Sequence, residues 1–249
     1  MAGNTYKERV IVLRKTRLRE ADLVVTLLAE DGRQIRAVAK GALKPSGSFA
    51  SRLELYSCAD VLLVKGRSLD IVKEARLVDA HAQLRFDFDR SVCAAPMAEL
   101  LAQATQDELP VERLFPMTQA ALSCLESVDC SRTRLVMSAF LLKAASLLGF
   151  RPSLAHCTDC GRPREAGAPW MFSFSAGGML CPECAVMHAA ATAQPASAVL
   201  ADALIHATFA QVAAMDVDQR SQVDLARFTG SWIQEHMTTL KSLPFACAL

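Results

Sequence analysis

The sequence lacks the signatures that usually mark an enzyme. It has no Gly-x-x-x-x-Gly-Lys-Ser/Thr phosphate loop, no Gly-x-Ser-x-Gly nucleophile turn and no dinucleotide-binding glycine fingerprint. Its five histidines, at 81, 156, 188, 206 and 236, are scattered. The expectation is a protein without catalytic function. No long apolar run is present either. The longest uncharged stretch, residues 185–201, is alanine-rich and broken by Gln194, Pro195 and Ser197, which excludes a membrane-spanning helix there. No export leader or lipidation signal is read, so a cytoplasmic location is expected.

Net charge is nearly absent, with 27 basic against 26 acidic residues, so the whole chain is no polycation. The balance hides an asymmetry. Residues 1–80 hold 15 Lys and Arg against 10 Asp and Glu, and the remainder holds 12 against 16. A basic module on a mildly acidic body points to a nucleic-acid-facing N-terminal part. Aromatics are scarce in that part: Tyr6, Phe49 and Tyr56. Stacking on bases is therefore limited, and binding should run through the phosphates.

What is present begins with short Val/Ile/Leu-rich runs over 9–13, 21–29, 33–39, 59–65 and 69–78, separated by turn signals at 30–33 and 65–68. In the third run Ile35, Ala37 and Ala39 alternate with Gln34, Arg36 and Lys40, the pattern of a strand with one wet face. Five such strands without crossover helices predict a small barrel of the OB-fold type. The connection 41–56, containing Lys44-Pro45-Ser46-Gly47-Ser48, reads as a loop. From about residue 84 the period becomes helical, over 85–106, 111–127, 132–148, 196–215 and 219–240, with Ser131 as an N-cap and Gly149 as a stop. The fold class expected is α+β and multidomain: a barrel over 1–80, then a helical domain over 81–249 with an inserted cysteine segment at 154–188.

That segment carries Cys157-x-x-Cys160 and, after twenty intervening residues, Cys181-x-x-Cys184. Two such turns folded together supply four thiolates at tetrahedral corners, which predicts a structural zinc site. The odd total of nine cysteines argues against a disulfide framework. His156 and His188 lie beside the pairs, but four thiolates already fill a shell. Among basic residues, Arg14, Lys15, Arg17 and Arg19 crowd the end of the first strand. Arg33, Arg36 and Lys40 mark the third, and Lys44 and Arg52 lie on the loop after it. Arg14, Lys15, Arg17, Arg36, Lys40, Lys44 and Arg52 are the candidate phosphate contacts of a nucleic acid; the alternative is a solvated strand face interleaved with Glu20 and Asp22.

The segment Leu148-Gly-Phe-Arg-Pro-Ser-Leu-Ala-His-Cys-Thr-Asp-Cys-Gly161, followed by Phe172-Ser-Phe-Ser-Ala-Gly-Gly-Met-Leu-Cys-Pro-Glu-Cys184, closely resembles the zinc segment of the RecO family of bacterial recombination mediators. Leu18-Arg-Glu-Ala-Asp22, Ala39-Lys-Gly-Ala42, Ser48-Phe49 and Arg52-Leu-Glu-Leu55 are similar to that family's barrel. The resemblance implies a protein that binds single- and double-stranded DNA and anneals complementary strands. It also implies that, with RecR, such a protein helps load RecA onto DNA coated by single-stranded DNA-binding protein. One implied ligand is the acidic, apolar-ended tail of that coating protein. In the helical domain such a tail needs a cation beside an apolar groove, and Arg132, Arg134, Lys143, Arg227 and Lys241 are the candidates. The competing class is a zinc-ribbon and OB-fold protein acting on RNA, in translation or RNA processing.

Overall fold

The computed structural model describes residues 4–18, 20–44, 49, 51–165, 167–188 and 195–248. Arg19 and the Pro45–Ser48 stretch of the expected loop lie outside the described residues. The chain forms two compact units, residues 1–127 and 128–249.

In the first unit five strands, β1 (Thr5–Arg17), β2 (Leu23–Ala29), β3 (Gln34–Ala39), β4 (Cys58–Val64) and β5 (Asp70–Asp79), close a barrel in the order β1-β2-β3-β5-β4. β1 is longer than its apolar run because it serves two neighbours. Its first half pairs with β4 and its second half with β2, with a bulge between Val12 and Arg14 where the strand changes partner. Closure is completed by a short parallel contact, Ala37 with Asp70 and Val38 with Ile71. Alternate residues, among them Val10, Val12, Val25, Leu27, Ile35, Ala37, Val61, Leu63 and Val72, fill the interior. Gly32 sits in the β2–β3 turn at φ +85°, and a Cβ there would lie 2.0 Å from the Val111 carbonyl oxygen. Only glycine fits.

Three helices complete this unit: α1 (Gln83–Phe86), α2 (Phe88–Ala104) and α3 (Leu114–Ser127). The single helix expected over 85–106 is broken at Asp87. Asp87 is extended, and its carboxylate accepts the Arg90 amide at 3.0 Å as the N-cap of α2.

The second unit is built around α4 (Thr133–Leu147), buried at almost every position as expected of a helix surrounded by others. Ser131 does not cap it. Asp129 does the capping, one turn earlier, where its carboxylate accepts the Ser131 amide of a short 3-10 turn. Then come a hairpin of β6 (Met171–Ser173) and β7 (Gly178–Leu180), the short α5 (Pro182–Ala185), and the helices α6 (Pro195–His206), α7 (Phe209–Ala214), α8 (Gln219–His236) and α9 (Leu243–Ala248). The expected 196–215 helix is divided because Thr208 and Gln211 form a capping box that starts α7 afresh. The hairpin was not anticipated; three-residue strands carry too little alternation to be seen.

Candidate nucleic-acid interface and tetracysteine centre

The barrel's register brings two predicted cations into one row. Arg14 of β1 pairs with Thr26 of β2, which pairs in turn with Arg36 of β3, and paired residues share a face. With strands about 4.8 Å apart, the two arginine Cα atoms lie about 10 Å from each other across the row. Both side chains are exposed, and neither has an ion-pair partner among the described residues. Lys40, four residues beyond Arg36, and Lys44 on the following turn are likewise exposed. Arg17, exposed at the end of β1, donates to the Glu20 carbonyl at 3.1 Å.

Two candidates are placed differently. Lys15 faces inward at the barrel rim and pairs with Glu54 at 2.8 Å. Arg52 donates to the Ala75 carbonyl at 3.1 Å and borders another surface, a groove of about 980 Å³ on β1, β4 and β5. There Lys7, Arg9, Lys73 and Arg76 are interleaved with Glu8, Glu30, Asp60 and Glu74. In the row Arg9–Asp60–Arg76 one carboxylate is shared by two guanidiniums, at 2.8 and 3.0 Å, and those two hydrogen bonds hold the Asp60 carboxyl below the usual carboxylate range. Such a groove offers phosphates little net attraction. Arg33 is also engaged, by Glu8 at 2.8 Å, Asp31 at 2.9 Å and Asp107 at 3.4 Å.

Sequence reasoning missed Lys65 and Arg67. They sit on the β4–β5 turn and line a recess of about 220 Å³ with Arg36, Asp70 and Asp107. Lys65 is tied to Asp107 at 3.5 Å, while Arg67 is exposed with no ion pair among the described residues. The segment 65–68 showed itself in sequence as a turn. Its position beside Arg36 follows from the parallel β3–β5 contact, which no local pattern signals.

In the second unit the four cysteines converge. Their Sγ atoms all lie within 4.8 Å of one another, and Cys160 Sγ is 3.8 Å from Cys181 Sγ. A zinc–sulfur distance of about 2.3 Å gives a tetrahedral edge of about 3.8 Å, so the residues fit that ion. The turn 157–160 is closed by Gly161 N–H donating to the Cys157 carbonyl at 3.0 Å, and Thr158 N–H ties it to Met179 of β7 at 2.9 Å. Cys181 stands at the start of α5, and its own N–H points at Cys157 Sγ at 3.4 Å. Burial opposes ionisation of Cys157, but the backbone N–H groups of Cys160, Cys181 and Asp159 outweigh it and bring the thiol down to about 6. Cys184 is pushed up, first by its hydrogen bond to Cys181. His188 is turned to Asp159 at 2.8 Å and His156 is exposed; neither belongs to the cluster.

The hairpin that carries Cys181 is anchored to α8. Phe172 is fully buried, with ring centroids 4.7 Å from Phe228, 5.0 Å from Phe174 and 6.0 Å from Trp232. Gly178 lets the Ser153 backbone approach, since a Cβ on it would lie 2.2 Å from the Ser153 carbonyl oxygen. Of the candidate tail-binding cations, three hold helix ends. Arg132 donates to the Ala213 and Met215 carbonyls, Arg134 to Ala246, and Lys143 to Ile205 and Ala207. Arg227 and Lys241 are exposed.

With this geometry in hand, two family models match the chain: "Recombination protein O N terminal" over residues 1–81 and "Recombination protein O C terminal" over residues 85–244. The chain belongs to the RecO family. A curated relative from Frankia casuarinae, "DNA repair protein RecO", is 35% identical over 243 residues, covering 96% of this chain and 97% of the relative. Relatives of the same name from two strains of Desulfitobacterium hafniense are 37% identical over 179 residues, covering 72% of this chain and 64% of their own length. No helix among the described residues is long and apolar enough to cross a membrane.

Proposed function

We propose that this chain is a non-catalytic mediator of DNA repair and recombination. Its barrel, residues 1–80, is read as an OB-fold that binds single- and double-stranded DNA through the phosphates. The chain then anneals complementary strands and, with RecR, promotes RecA loading onto DNA coated by single-stranded DNA-binding protein. The observation that carries this reading is the unneutralised row Arg14–Thr26–Arg36 with Lys40 and Lys44 beyond it, on a barrel whose large groove interleaves its cations with nearly as many anions. Family membership supports the cellular role.

Zinc is the proposed occupant of Cys157, Cys160, Cys181 and Cys184. It would supply a closed four-sulfur cross-link and no open coordination position. The residues themselves position it: the N–H groups around Cys157 favour the thiolate, and the Phe172 cluster fixes the hairpin. The helical domain, 81–249, is proposed as the partner-facing part. Exposed Arg227, which also pairs with Asp224 at 3.8 Å, and exposed Lys241 are its candidates for an acidic tail. The cell compartment proposed is the cytoplasm, at the nucleoid.

The decisive experiment is annealing of complementary oligonucleotides coated with single-stranded DNA-binding protein, beside gel shifts on matched DNA and RNA. Acceleration of annealing with DNA favoured supports the mediator. No acceleration, with RNA favoured, replaces it by the RNA-binding reading.

A further inference from the structure

None of the three aromatics of the barrel is fully exposed: Tyr6 and Phe49 are half-buried and Tyr56 is buried. Tyr6 donates to Asp70, Phe49 packs against the barrel core, and Tyr56 is 5% exposed. The barrel also exposes aliphatic side chains: Leu77 and Val78 on β5, where Leu77 lines the groove of mixed charge, and Leu18 and Leu43 at the turns. Leu18 is 47% and Leu43 41% exposed. One exposed leucine needs no explanation. These two are brought together by hydrogen bonds between their turns. Leu18 N–H closes its turn on the Asp22 carbonyl at 3.0 Å, and Leu43 N–H donates to the Ala21 carbonyl at 3.0 Å. The Gly41 N–H donates to the Asp22 carboxylate at 2.8 Å, so the turns hold each other and the nearest anion is occupied. Exposed Arg17, Lys40 and Lys44 stand next to the leucines in the chain, and Arg14 lies further down β1; against them the exposed anion is Glu20. More exposed apolar side chains exist in this unit, Phe86, Phe88 and Leu109, but they stand beside Asp87, Asp89 and Glu108, which repel phosphates.

We propose that Leu18 and Leu43 form an apolar wedge that sits against DNA bases while the surrounding cations hold the phosphates. The inference rests on the DNA-binding reading above and adds what that reading lacks, a contact to the bases. Aliphatic side chains inserted at base steps unstack them. Cations around an apolar tip match the polyanionic, base-bearing chemistry of a strand rather than an acidic surface alone. A wedge of this kind disfavours stacked, paired bases at a junction without reading their sequence. It would give an annealing protein a way to hold bases unstacked while partners are tested.

The test uses the full chain and a partly single-stranded duplex with 2-aminopurine at the junction, whose fluorescence rises on unstacking. The wild type should raise it. Leu18→Ala, Leu43→Ala should lose the rise while anisotropy reports retained binding with an unchanged salt slope. The Leu18→Phe, Leu43→Phe variant should keep the rise, because an aromatic ring also stacks. A rise that persists in the alanine variant overturns the wedge and leaves phosphate binding standing. Absence of wild-type binding to any DNA removes the underlying reading and the wedge with it. Binding to anionic phospholipid vesicles that depends on both leucines, with the fluorescence rise unaffected, assigns the tip to lipid and overturns the proposal.

Discussion

Arg14 and Arg36 stand in one cross-strand row, on either side of Thr26, although they are twenty-two positions apart in sequence. If each neutralises a phosphate, each releases counterions. The log–log dependence of affinity on salt should then lose roughly 0.7–0.9 per arginine removed. Arg14→Ala, Arg36→Ala is thus expected to flatten the slope by roughly 1.4–1.8 and to weaken binding most at low salt. Charge reversal at Lys40 and Lys44 should do the same. Arg52→Ala, at the groove of mixed charge, should leave the slope nearly unchanged. Equal effects at Arg52 and at the row would relocate the interface.

Much of this arrangement could be read before any coordinates. Alternation in Ile35, Ala37 and Ala39 placed Arg36 and Lys40 on a wet face, and that is local information. The partition of the candidates was not local. Lys15 is lost to Glu54, and Arg52 to the Ala75 carbonyl, through contacts that depend on closure of the sheet. Arg67 joins Arg36 through a parallel pairing of only two residues. The cysteine spacing announced its cluster because both pairs are short-range. Its anchoring by Phe172 on α8 spans more than fifty residues, and no spacing rule reaches that far. Helix ends failed where a side chain intervened: Asp87 and Thr208 are caps inside patterns that look continuous.

The tetracysteine cluster predicts about one zinc per chain. Cys160→Ala, Cys184→Ala should lose the metal as measured by elemental analysis. The variant should also melt at lower temperature, since metal binding contributes to folding free energy. A chelator should lower the melting point of the wild type and leave that of the variant alone. Undiminished zinc in the variant would place the metal elsewhere.

Phe172 offers a test independent of metal. Its ring is fully buried among Phe174, Phe228 and Trp232. Truncation to alanine leaves a cavity between the hairpin and α8, and such changes cost about 3–5 kcal/mol. Phe172→Leu keeps most of the volume and should cost much less. Denaturant titration with both variants distinguishes packing from chelation: the leucine variant should keep its zinc and most of its stability. A Phe172→Ala chain as stable as wild type would show that the hairpin stands without α8.

Asp60 gives a prediction with a sign. Hydrogen bonds from Arg9 and then Arg76 lower its pKa in the folded chain, while the unfolded value is about 3.9. Folding therefore favours the ionised form. The stabilisation is fully present above the unfolded pKa and is lost as pH falls through that value toward the folded one. Asp60→Asn removes the charge at every pH. The stability gap between wild type and variant should be widest near neutrality and close progressively as pH falls below about 5. Because the row is solvent-facing, the gap should also shrink in high salt. Urea midpoints measured across that range settle it. A gap that stays constant with pH would mean that Asp60 acts through shape, and that the Arg9–Asp60–Arg76 row is not an electrostatic device.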